Sequence, residues 1–278
     1  MLVVCDTILF MPMLAKLRND LKNLANPAKA RILQRFFKTG KGEYGEGDVF
    51  LGITVPDSRK IAIRYKDLPL TDIKKLLQSK IHEERLIALL ILVHNFTKGD
   101  EKKRKEIFDY YLLHTKYINN WDLVDLTADK IVGTYLLDKL PLSLRDIEQS
   151  GTRLPRRSFL TPRNDILKRL AKSDNLWERR IAIIATYQFI KEKKEYKDTF
   201  AVAEILLHDK HDLIQKAVGW MLREVGKRVS QDVEESFLQK HYREMPRTML
   251  RYAIEHFSKE QQSAYLQGMV QYRHAYYC

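Results

Sequence analysis

Glycine and proline are scarce in this chain of 278 residues, with 11 and 8 copies. Their scarcity argues against a fold rich in tight turns and irregular loops. Apolar residues make up 45% of the sequence and cluster at three- and four-residue spacing rather than alternating, which is typical of helices. We therefore predict an all-α protein with short connections that forms a single domain over residues 1–278.

Cysteine is nearly absent, since Cys5 and Cys278 are the only two copies and lie at opposite ends. This spacing argues against a disulfide framework and a CxxC zinc site, and it predicts a reducing, cytoplasmic environment. His208 and His211 lie three positions apart, but two histidines without a third ligand are ordinarily surface residues. We expect neither a metal site nor a cofactor.

Long hydrophobic runs are also missing. The start of the chain, residues 1–15, is apolar but contains Asp6, follows no basic segment and is too short to span a bilayer. We expect no membrane association. Residues 1–12 are interpreted as a mis-assigned or disordered start, with Met11 or Met13 as the true first residue.

Acidic residues are outnumbered, with 36 Asp and Glu against 49 Lys and Arg, which gives a net charge of +13 and a sequence pI near 9.5. A surplus of this size indicates nucleic acid or another anionic surface as a partner. Charge alone leaves the partner open, because many basic proteins bind no polyanion.

Four segments resemble copies of one helix, at residues 82–96, 119–137, 175–190 and 212–227. In each, a polar residue precedes a small residue by three positions. The pairs are Arg85 and Ala88, Asp125 and Ala128, Arg179 and Ala182, and Lys216 and Gly219, with Ala253 extending the series. A period of roughly 35 to 40 residues is that of a helix pair, the unit of HEAT-like α-solenoids.

Two segments interrupt this pattern. Residues 141–163 are rich in arginine and proline and make one step too long, so we interpret them as an insertion between repeats whose arginines contact phosphate or solvent. The glycine-rich residues 38–52 predict a loop that joins an N-terminal helix to the body. This loop lacks the GxxxxGK[ST] pattern of a phosphate-binding loop.

The candidate functional residues lie on the repeat helices. Trp121 and Asp125 are four positions apart and share a helix face. Arg180 and Trp220 occupy the corresponding region of later repeats, and stacked repeats line equivalent helices along one groove. The residues alone favour a structural alternative, in which the tryptophans are core and Asp125 neutralises a neighbouring arginine.

The segments NNWDLVDLTADKIVG, DNLWERRIAI and IQKAVGWMLREVGK resemble the diagnostic segments of HEAT-like-repeat alkylpurine DNA glycosylases, the DNA alkylation repair enzymes of the AlkD type. The similarity runs from about Phe50 to the segment MPRTMLRYAIEHF and is interrupted by residues 141–163. A generic HEAT protein shares the small-residue rhythm but not the Trp-Asp and Gly-Trp signatures.

The resemblance implies a C-shaped right-handed superhelix that binds duplex DNA containing alkylated bases on a basic concave face. It implies that Trp121 and Trp220 flank the deoxyribose of the lesion, that Asp125 is the catalytic carboxylate, and that Arg180 contacts phosphate. Three further residues are weaker DNA-binding candidates, with solvated arginine as the alternative for the last two: Tyr44, Arg223 and Arg251.

The implied reaction is hydrolysis of the N-glycosidic bond of N3- or N7-alkylpurines, by a monomer and without a dedicated base pocket. Such a base is already cationic and needs no general acid, whereas the sugar gains positive charge that a carboxylate stabilises. One alternative is a non-catalytic relative that binds branched or damaged DNA. Another is a scaffold for an acidic protein, which leaves the signature tryptophans unexplained.

The charge surplus predicts that the protein binds duplex DNA with little sequence preference and with a steep loss of affinity in salt. Lysine and arginine on phosphates release condensed counterions, so the logarithm of affinity falls linearly with the logarithm of salt concentration. Fluorescence anisotropy of a labelled duplex between about 50 and 200 mM salt measures the slope. A shallow slope would contradict the prediction.

Overall fold

The computed structural model describes residues 11–138 and 162–270. The regular elements within these ranges are helices, which confirms the predicted all-α class. The chain divides into two compact units with a boundary between Lys103 and Arg104. In the described ranges no helix is both long enough and apolar enough to cross a membrane. That the whole chain forms a single repeat domain stays a prediction.

The first unit is organised around one long helix. Its elements are α1 (Met13–Leu24), α2 (Pro27–Phe36), α3 (Val55–Arg64), α4 (Leu70–Leu77), α5 (His82–Lys98) and the start of α6 (Glu101–Leu113). Helices α3 and α4 pack against α5, whose buried residues extend from His82 to Phe96. Because α5 is covered on several sides, its sequence is apolar around much of the helix rather than along a single stripe.

Charged residues at the start of α5 are buried and paired. Glu83 accepts hydrogen bonds at 2.8 to 3.2 Å from the backbone amides of residues 51–53. Arg85 lies 2.6 Å from Oδ2 of Asp48 and donates to the carbonyl of Ser79 at 2.9 Å. Unpaired buried charges are strongly destabilising, so these partners make the burial tolerable. Arg85, the polar residue of the first predicted repeat, therefore stabilises the fold of the first unit.

The glycine-rich residues 38–52 form a loop, as predicted. Gly52 has a φ of +82°, and a Cβ at this position would overlap the backbone of Asn26 and Ala30. Both the left-handed backbone and the close approach require glycine. Since Glu83 also holds the Gly52 amide at 2.8 Å, the end of the loop is fixed between α2 and α5.

The second unit contains the later predicted repeats. Its helices are α7 (Trp121–Asp125), α8 (Thr134–Asp138), α9 (Pro162–Ala171), α10 (Leu176–Ala185), α11 (Tyr187–Lys193), α12 (Lys197–Ile205), α13 (Asp212–Arg228), α14 (Gln231–His241), α15 (Arg247–Ala253) and α16 (Lys259–Gln267). A π-helical turn at Asp129–Gly133 lies between α7 and α8. The predicted segments 119–137, 175–190 and 212–227 fall on α7 and α8, on α10 and α11, and on α13.

The small residues of the repeat rhythm are all buried. Ala128, Ala182 and Ala253 have no exposed surface, and Gly219 is buried within α13. A Cβ at Gly219 would overlap the carbonyl oxygen of Met249 on α15. Small residues recur at these positions because neighbouring helices approach too closely for larger side chains.

The predicted insertion at 141–163 lies outside the described residues except for its last two positions, which belong to α9. Arg163 pairs with Glu195 at 3.0 Å and with Asp198 at 2.5 Å. Its guanidinium also lies 4.6 Å from the centre of the Phe189 ring. The expectation that this arginine faces phosphate or solvent is wrong, because it is part of the packing between α9 and its neighbours.

Glu234 on α14 is a buried carboxyl group, with 2% of its surface exposed. Its Oε1 has no hydrogen-bond partner, and a Cβ at Gly226 would overlap its Oε2. Burial raises the pKa of Glu234 to about 9, with a further increase from Glu235 and an opposing effect of Arg223. Glu234 therefore keeps its proton at neutral pH in the folded protein.

Glu234→Gln should remove a pH-dependent loss of stability. The unfolded chain releases this proton near its ordinary pKa, so folding of the parent becomes less favourable as pH rises from about 4.5 towards 9. The melting temperature of Glu234→Gln should exceed that of the parent by an amount that grows between pH 5 and pH 9, reaching about 5 °C or more. Thermal unfolding followed by circular dichroism measures the difference, with the exposed Glu106→Gln as control. A difference independent of pH would contradict the assignment.

Candidate active site

Asp125 and Arg180 form a bidentate ion pair between α7 and α10. The Nε of Arg180 donates to Oδ1 of Asp125 at 2.8 Å, and one terminal nitrogen donates to Oδ2 at 2.7 Å. The other terminal nitrogen donates to the carbonyl of Leu213 on α13. Arg180 is 5% exposed, whereas the Asp125 side chain keeps 17% of its surface. The pair thus joins three helices and leaves part of the carboxylate accessible.

This arrangement differs from the expectation that Arg180 contacts phosphate. In the structure its guanidinium is buried and its hydrogen bonds point to Asp125 and Leu213. The alternative in which Asp125 neutralises a neighbouring arginine describes this contact. This contact is compatible with the expected role of Asp125 as the catalytic carboxylate, because the arginine can hold the carboxylate in place.

The electrostatics of Asp125 reflect opposing effects. Burial raises the pKa of Asp125 above its usual value, Arg180 opposes this, and Asp122 and Asp129 raise it further. Two carboxylate oxygens that each accept an arginine N–H have the geometry of an ionised group. A carboxylate with a raised pKa is a better proton acceptor than an ordinary aspartate.

Local sequence explains how α7 presents Asp125. The side chain of Asn120 accepts from the amide of Trp121 at 2.8 Å and caps the start of the helix. The π-turn at Asp129–Gly133 follows, a feature that frequently occurs at functional sites. A Cβ at Gly133 would overlap the carbonyl oxygen of Ala185. The turn therefore packs closely on the end of α10, the helix that carries Arg180.

The three tryptophans differ in burial. Trp177 is 7% exposed and belongs to the core, whereas Trp121 and Trp220 are half-buried. The alternative that Trp121 and Trp220 are core residues predicts burial, which the structure shows for Trp177 and for neither of these two. Trp121 begins the helix that ends at Asp125, and Trp220 lies on α13, whose Leu213 carbonyl binds Arg180.

Three residues around Trp220 were missed by sequence reasoning. The indole Nε1 lies 3.3 Å from Oε1 of Glu224, and Nε of Arg228 donates to Oε2 of Glu224 at 2.6 Å. Arg228 also donates to the Tyr187 hydroxyl at 2.7 Å. The four-residue spacing of Trp220, Glu224 and Arg228 along α13 was the available signal. Tyr187 gave none, because it lies on another helix.

The remaining candidates occupy varied positions. Arg223 pairs with Glu255, although it was expected to contact phosphate or solvent. Arg251 is exposed on α15. Tyr44 is half-buried in the glycine-rich loop of the first unit. The roles of these three residues in DNA binding stay predictions.

The two histidines considered as metal ligands have other contacts. Nδ1 of His211 accepts from the amide of Leu213 at 3.2 Å and caps α13. His208 is exposed and lies 3.6 Å from Glu244. Among residues 11–138 and 162–270, no three His, Cys, Asp or Glu side chains are grouped so that they could hold a metal ion.

Comparisons with known proteins relate this chain to DNA alkylation repair enzymes. A family model described as DNA alkylation repair enzyme matches residues 17–257. A solved structure described as a predicted DNA alkylation repair enzyme from Enterococcus faecalis is similar, with a TM-score of 0.59 and 18% identity over 84% of this chain and 97% of that chain. At this identity the likeness shows the fold alone. No curated protein matches the sequence.

The buried ion pair predicts that Asp125→Asn destabilises the protein. The substitution leaves the Arg180 guanidinium buried without its counter-charge, which should lower the free energy of unfolding by about 3 kcal/mol or more. Urea unfolding followed by circular dichroism measures the change. In the double variant Asp125→Asn, Arg180→Met, the loss should be smaller than the sum of the two single losses.

The matched control is Asp109→Asn, which removes the carboxylate of the exposed pair between Lys105 and Asp109 at 2.5 Å. Exposed pairs contribute little, so this variant should unfold at nearly the parent's urea concentration. Equal losses in Asp109→Asn and Asp125→Asn would contradict the structural role assigned to the buried pair.

Proposed function

The chain belongs to the family of DNA alkylation repair enzymes, and we propose that it is a DNA glycosylase that releases cationic N3- and N7-alkylpurines from duplex DNA. The observation that carries the proposal is the Asp125 carboxylate, partly accessible and held at both oxygens by a buried arginine. The net charge of +13 supports a polyanionic substrate.

The leaving base determines what the protein has to supply. When the bond between C1′ and N9 breaks, its electron pair moves onto the purine and cancels the base's positive charge. The base therefore departs without a general acid. Positive charge develops instead on the deoxyribose, and a nearby carboxylate stabilises it electrostatically.

Asp125 suits this task because its position is already fixed. Arg180 uses one lone pair on each carboxylate oxygen and leaves the others for the sugar cation or a water molecule. The bond to Leu213 and the burial of Arg180 hold the guanidinium still. No side-chain reorganisation is then needed as charge develops. In this proposal Arg180 orients Asp125 instead of contacting phosphate.

The attacking water completes the reaction. Its oxygen forms a bond to C1′, and it gives up a proton to Asp125 or to bulk water. The raised pKa of Asp125 favours its role as acceptor. The half-buried indoles of Trp121 and Trp220 add to the stabilisation, because an aromatic face attracts a cation.

The test is release of free base from a duplex that contains a single N7-methylguanine or N3-methyladenine, measured by chromatography under single-turnover conditions. The parent should release the base. Asp125→Asn should lower the rate by a factor on the order of 100 to 1000. Its affinity for the duplex should be at least that of the parent, because the substitution removes a negative charge. Assays belong at a temperature at which circular dichroism shows both proteins folded.

Asp109→Asn serves as the control for the change of charge and should release base at the parent rate. If Asp125→Asn releases base as fast as the parent, the assignment of Asp125 fails. If the parent releases none yet binds branched DNA tightly, the protein is instead a non-catalytic DNA-binding module.

A further inference from the structure

We propose that Tyr187, Glu224 and Arg228 form a brace that fixes the orientation of the Trp220 indole, and that this orientation is required for excision. The three residues are called the Trp220 brace below, and all three are positioning residues. The inference rests on the proposed function, because it assigns a role to residues that support the same site.

The brace is a closed circuit of contacts. Trp220 contacts Glu224 through its ring N–H at 3.3 Å, and Glu224 accepts from Arg228 at 2.6 Å. Arg228 donates to the Tyr187 hydroxyl at 2.7 Å, with its guanidinium 5.1 Å from the centre of the Tyr187 ring. The Tyr187 ring in turn lies next to the Trp220 ring, with ring centres 6.4 Å apart and planes inclined by 35°.

The chemistry of the indole explains how these contacts fix the plane of the Trp220 ring. An indole has a single hydrogen-bond donor and no acceptor, so one contact at Nε1 together with one ring neighbour defines the plane of the ring. Glu224 supplies the first and Tyr187 supplies the second. Since Trp220 is half-buried, water alone would satisfy its N–H but would leave the plane of the ring undefined.

The use of a buried carboxylate indicates more than simple hydrogen-bond satisfaction. Glu224 is 7% exposed, and burying its charge is costly unless a cation compensates it. Arg228 supplies the cation, and its own pKa is raised chiefly by the hydrogen bond to Glu224. The ion pair of Glu224 and Arg228 thus binds the Trp220 ring N–H, although a neutral acceptor or water would be enough to satisfy that hydrogen bond.

The charges of the brace also suit a cation-stabilising site. A carboxylate at the N–H edge draws the proton towards itself and leaves more electron density on the ring, which strengthens attraction between the ring face and a cation. Because Arg228 balances Glu224, the brace adds no net negative charge that would repel phosphates.

The first test is spectroscopic and requires no DNA. The chain has three tryptophans, so Trp121→Phe with Trp177→Phe leaves Trp220 as the only one. Adding Glu224→Met should abolish most of the near-ultraviolet circular dichroism of Trp220 and increase its quenching by acrylamide, with the far-ultraviolet spectrum unchanged. Glu224→Gln keeps a carbonyl acceptor at the same reach and should restore part of the signal. An unchanged Trp220 signal in Glu224→Met would overturn the brace.

The second test measures excision in the full-length protein that retains all three tryptophans. Glu224→Met should lower the single-turnover rate by about 10- to 100-fold, as expected when a reacting group is misplaced, without weakening duplex binding. Tyr187→Phe, which keeps the ring and loses the hydroxyl that Arg228 binds, should lower the rate less. Asp109→Asn again controls for the loss of one carboxylate and should match the parent.

A double-mutant cycle separates positioning from general damage. Phenylalanine has no ring N–H, so once Trp220→Phe is present, Glu224→Met should cause little further loss of excision. Full additivity, or an unchanged rate in Glu224→Met despite a lost Trp220 signal, would overturn the proposal. If the parent excises nothing, the glycosylase proposal fails by itself, and the requirement for excision falls with it. The spectroscopic test then decides separately whether the brace fixes the ring.

Discussion

The ion pair between Asp125 and Arg180 is the interaction on which the candidate site depends. Two charges largely removed from water are tolerated only when their hydrogen bonds are satisfied, and here the carboxylate of α7 and the Leu213 carbonyl of α13 together satisfy the arginine of α10. Forming the pair therefore brings these three helices into one arrangement. The same contact that stabilises the second unit also holds the carboxylate of the candidate site in place.

The pair of a polar and a small residue that recurs in each repeat has a related physical basis. The small residue of each pair allows close packing, and the polar residue three positions earlier makes an ion pair. Arg85 pairs with Asp48, and Arg179 pairs with Asp209 at 2.7 Å. Lys216 pairs within its own helix, with Asp212 at 2.9 Å. In the first three repeats the polar position thus links separate elements, which a solvated charge would not do.

The positions of the repeat helices and of the residues on them could be predicted from the sequence, because they depend on local spacing. Helical periodicity located the repeat helices, and the four-residue separation of Trp121 and Asp125 placed them on α7. The burial of Arg180 was not accessible, since an arginine on a basic chain gives no sign of whether it faces DNA or a carboxylate 55 positions away. Arg163 was misjudged for the same reason. Its partners, Glu195 and Asp198, lie about three helices further along the chain.

The π-turn at Asp129–Gly133 has a consequence for deletions between α7 and α8. A π-turn contains one residue more than an α-helical turn. Each residue advances an α-helix by about 100°, so the extra residue rotates α8 by about that amount relative to an uninterrupted α-helical path from Ala128. Deleting one codon here would change the orientation of α8 relative to α7 while leaving every residue of both helices unchanged. The relative orientation of the two helices thus depends on the number of residues in the turn as well as on the residues that form the helices.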